Sequence, residues 1–213
     1  MSIAQKRSYE NLFSKYCLDC AKIDVEQIFG NKNPLVVEIG FGMGRATVEI
    51  AEKNPFINYI GIEVHKPGIG RLLWDIEKRE LGNIRIVEGD AVEIIGQKIM
   101  DASVSAFHIF FPDPWPKKRH HKRRLITRSF TGMLSTKLLS GGYLYMVTDW
   151  AEYGDFAMNE LFNTPGLSNK YSGFAEPVSW RPKTEFELKG IKKDHEIKEL
   201  FFTKEEVAKN NEQ

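Results

Sequence analysis

Cysteine is scarce in this chain, which has Cys17 and Cys20 three positions apart and no other. A lone Cys-x-x-Cys supplies half of a four-ligand zinc site, and although His120 and His121 could in principle complete one, we predict no metal site. We expect both cysteines to lie on one face of a helix over residues 8–20, where packing is their role.

Long apolar runs are also missing. No stretch approaches the ~20 residues that a membrane-spanning helix needs, and Met1–Arg7 leads into polar sequence rather than the apolar centre of a signal peptide. The chain has 213 residues, of which 42% are hydrophobic, a size that suits one substantial core and is short for two. We therefore predict a single domain over residues 1–213, located in the cytoplasm.

Neither charge sign is in excess over the whole chain, which has 30 Lys and Arg against 29 Asp and Glu. The positive charge is local, because six of the eight residues at 117–124 are Lys or Arg, and without them the formal net charge would change from +1 to −5. A basic segment on a mildly acidic protein predicts one bound polyanion in one orientation. The alternative is a solvated charged loop.

A proline-rich motif stands directly before the basic segment, with the sequence Phe110-Phe111-Pro112-Asp113-Pro114-Trp115-Pro116. Its prolines restrict the backbone, so Asp113 and Trp115 are expected on a stiff platform. A carboxylate and an aromatic ring beside a cationic run suggest chemistry on a nucleic-acid base. Trp115 could stack on that base or be buried under the loop.

The rest of the chain alternates short apolar runs with helix-length amphipathic segments. The apolar runs predict buried strands at 35–39, 59–62, 84–87, 104–111 and 143–147. The segments between them predict helices at 45–53, 67–81, 92–100 and 127–138. Gly141-Gly142 is expected to close the last helix. This alternation indicates an α/β fold, with a mostly parallel sheet and helices on both faces.

A carboxylate stands at the end of every predicted strand, at the edge where an open α/β sheet collects its ligands. The five are Glu38, Glu63, Asp90, Asp113 and Asp149. For Asp90 and Asp149, capping of the following helix explains the residue equally well. All five carboxylates together favour a ligand-binding site at this edge of the sheet.

The first of these turns, Glu38-Ile39-Gly40-Phe41-Gly42-Met43-Gly44, places its glycines two apart. Glycine permits a sharp turn and lets a ligand approach bare backbone. A dinucleotide fold would have its third glycine at position 45, where this chain has Arg45. The spacing instead suggests a loop for S-adenosylmethionine, whose cationic sulfonium favours nearby carboxylates. Glu63 could accept both hydroxyls of its ribose, and Asp90 could meet the adenine edge.

Further motifs follow in order along the chain. They are Gly61-Ile62-Glu63-Val64-His65-x-Pro67-Gly68, Thr148-Asp149-Trp150 and Arg181-Pro182-x-Thr184-x-Phe186-Glu187. With the glycine turn, the proline-rich motif and the basic segment, the chain resembles the bacterial tRNA (guanine-N7-)-methyltransferases over about residues 34–203. Residues 1–30 are expected to form a helical segment before this core. The resemblance implies a Rossmann-like class I S-adenosylmethionine-dependent methyltransferase fold with a C-terminal antiparallel hairpin.

The resemblance also implies the reaction and its residues. The donor would be S-adenosylmethionine and the acceptor N7 of a guanine in the tRNA variable loop. Cofactor contacts would come from Glu38, Gly40, Gly42, Glu63, Asp90 and Asp113, with Asp113 also catalytic. Substrate contacts would come from Lys117, Asp149, Thr184, Glu185, Phe186 and Glu187. RNA contacts would come from Arg119, His120, His121, Lys122, Arg123 and Arg124.

The chemistry of the acceptor agrees with these roles and leaves choices open. N7 of guanine has an in-plane lone pair and needs no base, so catalysis is expected to consist of positioning and electrostatics. Asp113 or Asp149 could accept hydrogen bonds from N1 and N2, and Lys117 could donate to O6. Without the family pattern, Thr184–Glu187 would be an edge hairpin, whereas the resemblance makes it a lid. We assign structural roles to His65 and His195.

Two other functions fit part of the sequence. Asp113-Pro114-Trp115 is a near variant of the Asp-Pro-Pro-Tyr loops of enzymes that methylate exocyclic amines. A non-catalytic RNA-binding subunit could also keep this fold. For the assembly, we expect a monomer or a homodimer with tRNA as its partner.

Overall fold

The computed structural model describes residues 1–192 and 194–206, apart from the side chains of Glu185, Phe186 and Lys189. Within these residues one sheet has seven strands: β1 (Leu35–Ile39), β2 (Asn58–Glu63), β3 (Ile84–Glu88), β4 (Val104–Phe110), β5 (Leu138–Thr148), β6 (Leu167–Asn169) and β7 (Lys198–Lys204). Their spatial order is β3-β2-β1-β4-β5-β7-β6. The first five pair in parallel, and β7 pairs antiparallel with β5 and β6. The predicted α/β sheet with its C-terminal antiparallel pair is confirmed.

Helices cover both faces of this sheet. In the described part of the chain they are α1 (Ile3–Tyr16), α2 (Val25–Phe29), α3 (Arg45–Lys53), α4 (Lys66–Lys78), α5 (Ala91–Lys98), α6 (Arg128–Lys137), α7 (Ala151–Phe162) and α8 (Glu185–Ile191), with a 3-10 helix at Lys118–Arg123. Helices α1, α3 and α4 pack into one apolar cluster, and α5, α6 and α7 into another. Strand β1 separates the two clusters, because Val36 faces the first while Val37 and Ile39 face the second.

The N-terminal helix differs from the predicted one over residues 8–20. It begins earlier because Ser2 and Gln5 form a capping box, and it ends at Tyr16. Cys17 is then extended and forms a bridge with Ile86 on β3. The expectation that Cys17 and Cys20 share a helical face is therefore wrong. Both are partly buried, and they pack against different apolar clusters.

The junction of α6 and β5 also differs from the prediction. The helix ends at Lys137, and β5 begins at the next residue and runs through Gly141-Gly142. Gly141 has a positive φ of 74°, and a Cβ at Gly142 would lie 2.9 Å from the carbonyl oxygen of Ser105 on β4. Gly142 thus permits the close approach of β4 and β5, where their register shifts, and Gly141 supplies a left-handed backbone conformation within β5, so the pair does not close a helix.

Candidate active site

The turn after β1 leaves bare backbone facing open space. Gly40, Gly42 and Gly44 all have positive φ angles, of 71°, 58° and 72°. A Cβ built on Gly40 or Gly42 would meet no atom within 4 Å, whereas one on Gly44 would lie 2.8 Å from Leu72 of α4. Gly44 is therefore required for packing, and Gly40 and Gly42 form a cradle that a ligand can approach closely.

Two further glycines fix this turn against its neighbours. A Cβ at Gly68, in the first turn of α4, would lie 1.9 Å from the carbonyl oxygen of Gly42. A Cβ at Gly61 of β2 would lie 2.6 Å from the ring of Phe41. The turn consequently sits in a position that only glycine at 61 and 68 permits.

Glu63, the last residue of β2, binds the same turn through its carboxylate. Oε2 accepts a hydrogen bond of 2.8 Å from the backbone N–H of Gly42. Oε1 accepts bonds of 2.8 Å and 3.0 Å from the N–H groups of Val64 and His65. A carboxylate offers about four acceptor positions, so capacity remains for a ligand hydroxyl.

Two of the other predicted cofactor carboxylates, Glu38 and Asp90, differ in burial. Glu38 on β1 is buried, and this burial raises the pKa of its carboxyl to about 7; Thr47 of α3 opposes the shift and the charge of Glu63 adds to it. Asp90 is exposed at the start of α5, where Oδ1 accepts hydrogen bonds of 2.9 Å and 3.2 Å from Val92 and Glu93. The capping role considered for Asp90 is present.

Asp113 lies exposed in a strained loop after β4. Two bulky residues flanking it, Phe111 and Trp115, have positive φ angles of 53° and 45°, which such side chains rarely adopt. The N–H of Phe111 donates a 2.8 Å hydrogen bond to the carbonyl oxygen of Val147 on β5, which anchors the start of the loop. Strain of this kind persists where the surroundings impose it, as they do at many functional sites.

Asp149 follows β5 but does not cap α7, because the cap position is Trp150 and no side-chain oxygen fills it. The capping explanation for Asp149 is wrong. Its Oδ2 lies 3.5 Å from Nδ1 of His195, a residue for which the sequence analysis predicted no functional contact. The two residues are 46 positions apart in the chain, so only the tertiary structure brings them together.

The segment at Thr184–Glu187 starts helix α8, so the edge hairpin considered for it is wrong. Thr184 caps the helix, with Oγ1 accepting a 3.1 Å hydrogen bond from the N–H of Glu187. The carboxylate of Glu187 is buried and accepts bonds of 2.5 Å and 3.3 Å from Arg181, which also donates at 2.6 Å to Glu199 of β7. The predicted contacts of Glu185 and Phe186 lie outside the described side chains.

The basic segment forms the 3-10 helix and its flanks. Most of its cations are exposed, namely Lys117, Lys118, Arg119, Lys122 and Arg123, while His120 and His121 are half-buried. Arg123 lies over the half-buried ring of Trp115, 4.9 Å from its centroid, and His120 meets that ring edge-on at 5.9 Å. Arg124 is the exception, because its side chain is 0% exposed.

Comparisons with known proteins decide the family. The sequence profile of a family described as "Putative methyltransferase" matches residues 32–200. A tRNA (guanine-N(7)-)-methyltransferase of Nitrosomonas eutropha is 44% identical over 205 residues, covering 95% of this chain and 92% of that protein. The chain belongs to the tRNA (guanine-N(7)-)-methyltransferase family. A member from Treponema pallidum is 55% identical over 171 residues, covering 80% of this chain and 67% of that protein.

Solved structures with low sequence identity share the fold of this family member. An antibiotic-related methyltransferase has a TM-score of 0.59 at 18% identity, covering 89% of this chain and 96% of that one. The 16S rRNA methyltransferase KamB has a TM-score of 0.62 at 12% identity, covering 84% and 92%. These likenesses support the class I methyltransferase fold and say nothing of the substrate.

The predicted residues fall into two groups by position. The turn of Gly40 and Gly42, Glu63, Asp113 and Asp149 all lie at the carboxyl edge of the parallel strands, as predicted. Arg124 and Glu187 instead have buried charged groups bound by other side chains. Among the described residues no three His, Cys, Asp or Glu side chains converge as metal ligands, and no helix has the length and apolar content to cross a bilayer.

Proposed function

We propose that this protein transfers the methyl group of S-adenosylmethionine to N7 of a guanine in tRNA, in the variable loop. The observation that carries the proposal is the adjacency of two loops. The open glycine turn follows β1 and the Asp113 loop follows β4, and these strands are parallel neighbours, so both loops leave the same edge of the sheet side by side. The relatives from Nitrosomonas and Treponema, which are named for this activity, support it.

The cofactor fits the turn after β1. Gly40 and Gly42 provide the open cradle, and Glu63 keeps acceptor capacity for a ribose hydroxyl. Glu38 and Asp90, at the ends of β1 and β3, would complete the acidic contacts. When bound, the cofactor supplies a methyl group on a cationic sulfonium, which nearby carboxylates stabilise.

The guanine is proposed to lie between the Asp113 loop and helix α8. N7 needs no deprotonation, so the protein acts by holding the base in line. Asp113, the proposed catalytic residue, stabilises the positive charge that develops on the purine, and Asp113 or Asp149 accepts hydrogen bonds from N1 and N2. Lys117 donates to O6, and Thr184–Glu187 close over the base from helix α8.

The rest of the tRNA is proposed to follow the exposed part of the basic segment. Arg119, Lys122 and Arg123 present cations to solvent there, with His120 and His121 beside them. Such contacts give phosphate attraction without sequence information. Arg124 is removed from this set because its guanidinium is buried.

We place the activity in a single methyltransferase domain over residues 1–213, with residues 34–203 as its core. It acts in the cytoplasm as a monomer or a homodimer.

Transcribed tRNA with 7-deazaguanosine in place of guanosine tests the acceptor atom. We expect methylation of ordinary tRNA and none of the deaza transcript, because carbon replaces the nucleophilic nitrogen. Persistent methylation of the deaza transcript would overturn the N7 proposal and favour the exocyclic-amine alternative. Equilibrium dialysis that shows no S-adenosylmethionine binding would favour the non-catalytic alternative.

A further inference from the structure

Arg124, the last cation of the basic segment, is turned into the protein. Its Nε donates a 2.9 Å hydrogen bond to the carbonyl oxygen of Pro114. Nη1 and Nη2 donate to the two carboxylate oxygens of Glu152, the first at 3.0 Å, so the pair is bidentate. The guanidinium also lies 5.0 Å from the ring centroid of Tyr153 and 4.9 Å from that of Phe156.

These contacts use nearly all of the donors of Arg124. Nη2 also lies 3.1 Å from Nε2 of His121, and because arginine can only donate, His121 accepts. Four of the five guanidinium N–H groups thus have named partners. The side chain of Glu152 is 57% exposed but that of Arg124 is 0% exposed, so a phosphate could reach the guanidinium only after these bonds were broken and the arginine moved outward.

Two partners of Arg124 belong to separate elements of the site, the loop after β4 and helix α7. Pro114 directly follows Asp113 in the loop after β4. Glu152 lies in the first turn of α7, three residues after Asp149 at the end of β5. Arg124 therefore joins the elements that carry the two carboxylates proposed to bind guanine. Its bond to Pro114 also holds the backbone next to Trp115, whose φ of 45° is strained.

We propose that Arg124 is a positioning residue that, through Glu152, holds the Asp113 loop in register with Asp149, and that it does not contact RNA phosphate. This rests on the proposed function only in the role given to Asp113. The geometry fits arginine, because lysine has neither the planar fork for Glu152 nor a separate donor for Pro114. The exposed cations of the segment keep the electrostatic role.

The variant Glu152→Gln distinguishes a positioning role of Arg124 from a phosphate-binding role. Removing this carboxylate makes the protein less negative, so a phosphate-binding Arg124 would leave tRNA affinity equal or higher and kcat unchanged. A positioning Arg124 predicts instead that kcat falls by roughly ten- to a hundredfold in both Glu152→Gln and Arg124→Lys. The slope of log affinity against log salt should stay as in wild type in both variants. Lys122→Gln should show the opposite pattern, with that slope reduced by up to about one.

The matched control is a surface pair of the same chemistry. Arg79 donates a 2.6 Å hydrogen bond to Glu52 at the C-terminal ends of α4 and α3, away from the carboxyl edge of the sheet. Arg79→Lys should leave kcat and the salt slope unchanged. The double variant Arg124→Lys/Glu152→Gln should lose little more activity than Arg124→Lys alone, because Arg124→Lys already removes the bidentate bond to Glu152.

Hydrogen exchange gives a readout that does not depend on turnover. The amide of Phe111, which is bonded to the carbonyl oxygen of Val147 at the start of the Asp113 loop, should exchange faster in Glu152→Gln than in wild type, at a temperature where both proteins are folded. A smaller salt slope in Arg124→Lys with unchanged exchange in this loop would overturn the proposal. If wild-type protein fails to methylate tRNA, the proposed function fails, and the exchange result alone decides whether Arg124 positions the loop.

Discussion

Gly190 of α8 lies directly against Asp149: a Cβ at position 190 would be 2.9 Å from Asp149 Oδ2 and 3.0 Å from its Cβ. Helix α8 thus packs on the residue after β5 more closely than a side chain at position 190 would allow. His195, just beyond the helix, approaches the same carboxylate at 3.5 Å. Helix α8, which is proposed to close over the guanine, therefore directly contacts Asp149, one of the two carboxylates proposed to bind that base.

Gly190→Ala tests this contact. The added methyl group must displace either the helix or the carboxylate, so we expect kcat/KM for tRNA to fall by about tenfold or more. Affinity for S-adenosylmethionine should be unchanged, because the cofactor turn lies after β1. Gly132→Ala is the control, since Gly132 is also in a helix and a Cβ there meets nothing within 4 Å. Equal kcat/KM values in the two variants would contradict the lid assignment.

Gly68→Ala tests the cofactor cradle. A Cβ at Gly68 would overlap the carbonyl oxygen of Gly42, 1.9 Å away, so α4 or the turn must move. We expect affinity for S-adenosylmethionine, measured by titration calorimetry, to fall by an order of magnitude or more, while the basic segment still binds tRNA. Cofactor affinity equal to that of wild type would show that the cofactor does not depend on this turn.

Glu38→Gln tests the buried carboxyl through the pH dependence of stability. Burial raises its pKa from 4.5 to about 7, so the folded protein binds this proton more tightly than the unfolded chain does. The free energy of unfolding therefore falls as pH rises through this window, and glutamine removes the loss. Glu38→Gln is expected to be more stable than wild type by about 3 kcal/mol at pH 8, with no such gain at pH 4.

Melting temperatures from pH 4 to pH 8 measure this effect. Glu176 is exposed, so Glu176→Gln should follow the wild-type curve at every pH. Curves for Glu38→Gln and wild type that run parallel across the range would mean that Glu38 carries no raised pKa.

Asp113→Ala tests the reacting centre. We expect kcat to fall by about a hundredfold or more while affinity for tRNA changes little, because the carboxylate acts where charge develops. Single-turnover rates and filter binding separate the two quantities. A collapse of tRNA affinity with an unchanged rate at saturation would assign Asp113 to binding alone.

Local patterns predicted much of the fold. The helix at Arg45–Lys53 begins and ends as predicted, because its apolar spacing and its flanking glycine are both local signals. The boundary at Leu138 was wrong, because Gly142 serves a close approach to Ser105 on another strand. In the sequence, a glycine pair that ends a helix looks the same as a glycine pair that lets two strands approach each other.

The sequence predicted that the site lies at the ends of the parallel strands. It did not predict which way the individual side chains point. Each cation of the basic segment has the same local sequence signal, so the inward turn of Arg124 depends on Glu152, 28 residues away. Likewise, Glu187 is bound by Arg181 inside the protein, and no spacing rule joins Arg181, which precedes α8, to Glu199 of β7. Such pairings require the tertiary structure.

Nucleoside analysis of tRNA treated with the protein and methyl-labelled S-adenosylmethionine tests the central claim most directly. The account predicts that the label appears in 7-methylguanosine, at one position in the variable loop, and that Asp113→Ala protein yields far less of it. Label in an N-methylated exocyclic amine, or no labelled purine under conditions where the cofactor binds, would contradict it.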